Sequence, residues 1–215
     1  MKQRTVMNVE IFHERLRELY SPPENQFTLI DVPEIRFAVI DGKGNPQSDD
    51  CADAVKWLYY LVHVLKPLVQ ERMGKTFAYP PLEFLHWADS EEDFISGNKD
   101  KWRWRAMTVF IDWITQEAFT DAVVEVENKR GPAPKTLRLQ NLHEGKSVQI
   151  MHVGDYVEIG SICEKLYKEY LPANNLKPNG YYHEIYLNDP ARTAAKKRKT
   201  MIRQPVELMI SGSSN

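Results

Sequence analysis

Apolar residues in this chain recur first every second position, then every third or fourth, then every second again, and these changes of period mark out the elements. Residues 27–40 supply strand material, clearest in Arg36-Phe37-Ala38-Val39-Ile40, and Asp41-Gly42-Lys43-Gly44-Asn45-Pro46 turns the chain. A helix follows, with Asp49 or Asp50 as its cap and Ala54, Leu58, Leu61, Val62 and Leu65 along one face; Pro67 is expected to end or kink it. Residues 79–89 form an aromatic and apolar strand around Glu83. Residues 102–109 form its partner, with Trp102, Trp104, Ala106 and Thr108 on one face and Arg103, Arg105, Met107 and Val109 on the other.

Thr115 is the expected cap of a helix to Glu127 that turns Phe119, Ala122, Val123 and Val126 inward. Beyond it, residues 137–142 and 148–154 read as two strands joined by a hairpin turn at His143-Glu144-Gly145-Lys146. A helix after Asp155 buries Ile159, Ile162, Leu166 and Tyr170 and stops at Pro172. Two more strands close the pattern, residues 180–187 and 199–206. At the other end, Val9, Phe12, Leu16 and Leu19 give residues 8–20 the spacing of an amphipathic helix that covers an edge of the fold.

The order strand, helix, strand, strand occurs twice, and each copy carries one glutamate in an aromatic strand, Glu83 and Glu184. This reads as a diverged tandem repeat. The division expected is an arm over 1–26, one domain over 27–206 and a tail over 208–215. Within the domain, module one covers about 27–114, a bridging helix 115–130 and module two about 136–207. The fold class is α+β.

Composition narrows the function. A chain of 215 residues with formal net charge -2 carries no strongly basic footprint, so nucleic acid is not an expected partner. Residues 54–65 are too short and too polar to span a bilayer, and the charged N-terminus lacks the apolar core of a signal peptide. Cys51 and Cys163 stand far apart and read as reduced thiols, so the expected location is the cytoplasm, with no membrane partner. The oligomeric state, monomer or homodimer, is left open. The six histidines show no metal-ligand spacing, and there is no G-x-S-x-G elbow, Walker loop or dinucleotide fingerprint. No metal and no cofactor are expected.

What remains is a pair of glutamates among aromatics. On the 180–187 strand Tyr182, Glu184 and Tyr186 share a side, opposite His183, Ile185 and Leu187. Trp102 and Trp104, with Trp87 near, suggest an aromatic-walled cleft, and Tyr59 is a candidate for a pocket wall. Such a cleft suits a flat apolar or cationic molecule, with a carboxylate as charge partner or base.

Several stretches together resemble the GyrI-like small-molecule-binding family. They are Glu144-Gly145, Gln149 to Gly154, His183-Glu184-Ile185-Tyr186-Leu187-Asn188-Asp189-Pro190, Lys199-Thr200-Met201-Ile202-Arg203-Gln204-Pro205-Val206, Pro81-Leu82-Glu83 and Trp102-Arg103-Trp104. The resemblance implies two strand-helix-strand-strand modules related by a pseudo-twofold axis, their sheets forming a concave groove with helices outside. It places Glu184 at the groove glutamate that holds cationic or aromatic drugs. One stand-alone subfamily of similar size is implied to hydrolyse the cyclopropane of DNA-alkylating compounds of the yatakemycin and duocarmycin type within an aromatic cage. The mechanism expected on this footing has Glu184 or Glu83 position or deprotonate a water while Trp104, Tyr182, Tyr79 and Trp87 sandwich the ligand, with Trp102, Tyr186 and Tyr59 as further candidate ligand-binding residues. The alternative is a sensor or sequestering protein that binds the same molecules without chemistry. The chain departs from the family where Phe84-Leu85-His86-Trp87 replaces the common Gly-Leu-Trp-Trp and where Tyr182-His183 replaces a common His-His.

Overall fold

The computed structural model describes residues 18–90, 93–94 and 97–209; most of the helix expected over 8–20 therefore lies outside the described residues. The elements are β1 (Thr28–Lys43), α1 (Asp49–Met73), β2 (Leu82–Ala88), β3 (Trp102–Val109), α2 (Gln116–Arg130), β4 (Arg138–Val153), a third helical stretch, β5 (Leu176–Pro178), β6 (Tyr182–Tyr186) and β7 (Lys199–Leu208). The third stretch, here α3, starts as an α-helix at Ile159–Lys165, widens to a π turn over Leu166–Tyr170 and ends at Leu171–Ala173, running one residue past Pro172.

All strand pairs are antiparallel, in the order β4-β1-β3-β2-β6-β7-β5, and β4 also pairs with β7. That last pairing closes six strands into a barrel-like ring and leaves β5 at its side. Closure removes the sheet edges that would otherwise expose unpaired backbone groups. The fold is α+β, as expected, with its helices outside the ring.

Both faces of the sheet are buried, which is why the strands read as apolar runs rather than clean alternations. Facing inward are Val32, Ile35, Phe37, Val39, Leu85, Met107 and Val109, continued by Met151, Ile185 and Met201. On the outer face, α1 and α2 cover Ala38, Ile40, Phe84, Trp104 and Ala106. Farther round, α3 covers Val148, Ile150, Ile202 and Val206. Leu58, Leu61 and Leu65 of α1 are all buried to 2% exposure or less, each worth roughly 1.5–3 kcal/mol.

Three local expectations change. The cap of α1 is Ser48, whose hydroxyl accepts from the Cys51 amide, not Asp49 or Asp50, which occupy the first turn where the helix dipole favours acids. Pro67 does not end α1; the helix runs on to Gly74, a left-handed cap with φ 63°. The hairpin expected at residues 143–146 is instead continuous strand, since β1 pairs with β4 from Thr28 opposite Gln149 to Val39 opposite Arg138. Gly145, at φ 59°, kinks β4 without reversing it. Opposite this kink β1 changes phase at Pro33-Glu34, so that Val32 and Ile35 both face the interior. The kink turns the Glu144 side chain inward, where it meets His183 and Arg203.

Candidate functional site

The register of β6 separates two clusters of polar chemistry. Phe84 lies opposite Glu184, whereas Glu83 lies opposite Ile185 and Leu85 opposite His183. Opposed residues of an antiparallel pair share a face, so Glu184 points outward with Tyr182, Tyr186, Phe84 and His86. Glu83 and His183 point into the barrel.

Outside, the Glu184 side chain keeps 16% of its surface exposed. Tyr182 Oη donates to its Oε1 at 2.8 Å and Tyr186 Oη donates to its Oε2. The two tyrosines are neighbours of Glu184 on the same face of β6, so the strand's own period builds this clamp. Burial, followed by the Glu184 charge, pushes both phenols well above the ordinary tyrosine range. They therefore stay protonated and act as donors. His86 Nε2 stands 3.9 Å from Glu184 Oε2, and burial lowers its imidazole below the usual histidine value, more than Glu184 raises it. The ring is neutral at neutral pH, and its Nδ1 has no hydrogen-bond partner among the described residues.

Aromatic rings surround this acid. Phe84 stacks on His86 with centroids 5.5 Å apart, His86 meets Trp102 at 5.7 Å, and Phe94 stacks on Trp102 at 4.9 Å. Tyr156 meets Tyr186 edge-on at 5.6 Å, with the Arg198 guanidinium 4.8 Å from its centroid. Cys163 of α3 donates to Tyr182 Oη at 3.3 Å, and burial pushes its thiol up to about 11, so it is no thiolate nucleophile at neutral pH.

Inside the barrel runs a chain of buried charges. Tyr20 Oη donates to Glu83 Oε1 at 2.6 Å, and Glu83 Oε2 lies 2.9 Å from His183 Nε2. His183 Nδ1 lies 2.9 Å from Glu144 Oε1, and Arg203 Nη1 donates to Glu144 Oε2 at 2.8 Å. Arg203 also donates to Gln149 Oε1 and to the Leu19 carbonyl. Burial opposes the charge on His183, but Glu144 and then Glu83 outweigh it and raise the imidazole to about 9. Burial likewise opposes the Glu144 charge, and His183 and Arg203 outweigh it, holding that carboxyl at about 2.

The residues singled out from the sequence therefore fall into separate places. Glu184, Tyr182, Tyr186 and Trp102 come together. Glu83 does not join them; it has no exposed surface and belongs to the interior chain. Trp87 sits on the interior side, stacked on Tyr181 at 4.6 Å. Trp104 is buried on the outer face, meeting Phe84 edge-on. Tyr79 and Tyr59 stack on each other at 6.3 Å on the exposed surface beside His63. Sequence reasoning missed His86 as a partner of Glu184, although strand alternation places it on the face of Phe84. It also missed Tyr156 and Phe94, which come from a short turn and a loop that carry no periodic signal.

A model of the GyrI-like small molecule binding domain matches residues 25–207. A conserved protein of Listeria innocua, uncharacterized, is 28% identical with a TM-score of 0.80, the match covering 91% of this chain and 98% of that one. A hydrolase encoded by lin2189 of the same organism is 29% identical with a TM-score of 0.74 and the same coverage. The C-terminal domain of EcmrR shares the fold at 13% identity, a TM-score of 0.51, and coverage of 85% of this chain and 98% of that one. No curated protein matches. Among the described residues no helix is long and apolar enough to cross a membrane.

Proposed function

Because this chain belongs to the GyrI-like small-molecule-binding family, we propose that it takes planar aromatic or cationic small molecules against Glu184 and adds water to a strained cyclopropane of the yatakemycin and duocarmycin type. The observation that carries this reading is the Glu184 carboxylate, partly open, held by two phenol donors and ringed by Phe84, His86, Trp102 and Tyr156. Likeness to Listeria proteins called hydrolases, at 28–29% identity, supports the catalytic half.

A carboxylate has about four lone-pair positions. The tyrosines take two, leaving room for a water. In the reaction proposed, that water's oxygen bonds to the cyclopropane methylene and its proton passes to Glu184. The methylene-to-ring bond breaks, its electron pair moves through the conjugated ring to the carbonyl oxygen, and that oxygen takes a proton from solvent. Glu184 then returns its own proton to solvent. Ring strain drives the step, so base assistance of about 10²–10⁴-fold together with orientation by the aromatic rings is sufficient.

The test mixes the protein, at far less than one equivalent, with a cyclopropane-bearing duocarmycin-type compound and follows ring-opened product by mass spectrometry. Many products per protein, lost in Glu184→Gln, support hydrolysis. Depletion that stops at one equivalent favours the second reading, a sensor or sequestering protein. That reading draws on the same clamp, since a carboxylate fixed by two donors also suits a stationary counter-charge for a cationic ring.

A further inference from the structure

A cavity of ≈ 620 Å³ lies on the far side of Trp104 from Glu184, between the end of β1, the first turns of α1 and the segment after α2. Its volume falls within the usual range for small-molecule sites. Phe84 stands between the two places, opposite Glu184 in the register and edge-on to Trp104 at 6.4 Å.

Three aromatic residues, Trp57, Tyr60 and Trp104, line this cavity. Trp104 reaches it by lying over Gly42, its cross-strand partner; a Cβ at Gly42 would come within 2.0 Å of Trp104 Cζ2. Trp104 is 2% exposed, so it forms part of the cavity wall with almost all of its ring packed away.

The charges at the mouth select the ligand further. Asp41 is already held by Arg105 and Arg138, and Lys56 by Asp53. Lys43 and Arg130 also line the cavity, and neither makes an ion pair with a described residue; the Arg130 guanidinium lies 4.3 Å from the centroid of Tyr60. Asp50 is the acid left over, and it sits in the first turn of α1, where the helix dipole complements it.

We propose that this cavity is a second small-molecule site, separate from Glu184, that takes a planar aromatic anion. The ring packs against Trp57 and Tyr60, and Arg130 and Lys43 favour its negative charge.

The probe is 2-naphthoate, added to ¹⁵N-labelled full-length protein while the indole N–H resonances of its five tryptophans are followed. Trp104→Phe identifies the Trp104 resonance by its disappearance. The expected result is a one-site titration that moves this resonance, as a ring stacked against the cavity wall shifts it, unchanged in Glu184→Gln and weakened about tenfold in Arg130→Ala, a surface change that keeps the core intact. A Trp104 resonance that stays still up to the solubility limit of the probe overturns the proposal. So does a titration that Glu184→Gln abolishes and Arg130→Ala leaves alone, because the probe then occupies the cleft at Glu184.

Discussion

His183 and Glu184 are consecutive in the chain and lie on opposite sides of one barrel wall. The imidazole is held between Glu83 and Glu144 inside, at 2.9 Å from each, while the carboxylate is held between Tyr182 and Tyr186 outside. The interior charges fix β6 to β2, β4 and β7, and so set the position from which Glu184 is presented.

The two glutamates should therefore fail differently. Glu184→Gln is expected to cut ring opening by about 10²–10⁴-fold while changing unfolding free energy by only about 1 kcal/mol. Glu83→Gln leaves buried His183 with one carboxylate fewer and should cost about 3–5 kcal/mol. Parallel urea unfolding and turnover assays check this, and equal stability losses in the two variants would contradict the separation of faces.

Stability should fall on both sides of a mildly acidic window. His183 has its folded-state value raised from 6.5 to about 9, so its contribution is complete below pH 6.5 and is lost as pH rises through 9. Glu144 is lowered from 4.5 to about 2, so its contribution is complete above pH 4.5 and is lost as pH falls towards 2. Both are fully present between pH 4.5 and 6.5. A pH series of denaturant midpoints tests this, and replacing His183 by Gln should flatten the alkaline limb.

Gly42→Ala should destabilise by about 1–3 kcal/mol, because the added methyl would fall within 2.0 Å of the Trp104 ring, which has core on its other side. Thermal unfolding measures the loss. Tryptophan fluorescence should change as well, since the ring must move.

Pro67 lies inside α1 and is exposed. A proline there removes one helical hydrogen bond and crowds the preceding turn, so Pro67→Ala is expected to stabilise by up to about 3 kcal/mol. A lower melting temperature in this variant would overturn this expectation.

The chain's local periods determined much of this protein without help from tertiary contacts. The three-to-four spacing of Ala54, Leu58, Leu61 and Leu65 specified α1. The two-residue period placed Tyr182, Glu184 and Tyr186 on one side of β6, and Thr115 capped α2 as expected. These are properties of neighbouring residues. Only the tertiary structure decided which side of each strand is inside. Closure of β4 on β7 makes an interior out of the face bearing Glu83, His183 and Arg203, and a helix-covered exterior out of the face bearing Glu184 and Trp104. Two-residue alternation reports that residues share a face but says nothing of what that face meets, and here both faces are buried. For the same reason Gly145 looked like the tip of a hairpin: its left-handed conformation serves a turn and a strand kink equally, and the pairing of β1 along the whole of β4 settles it as a kink.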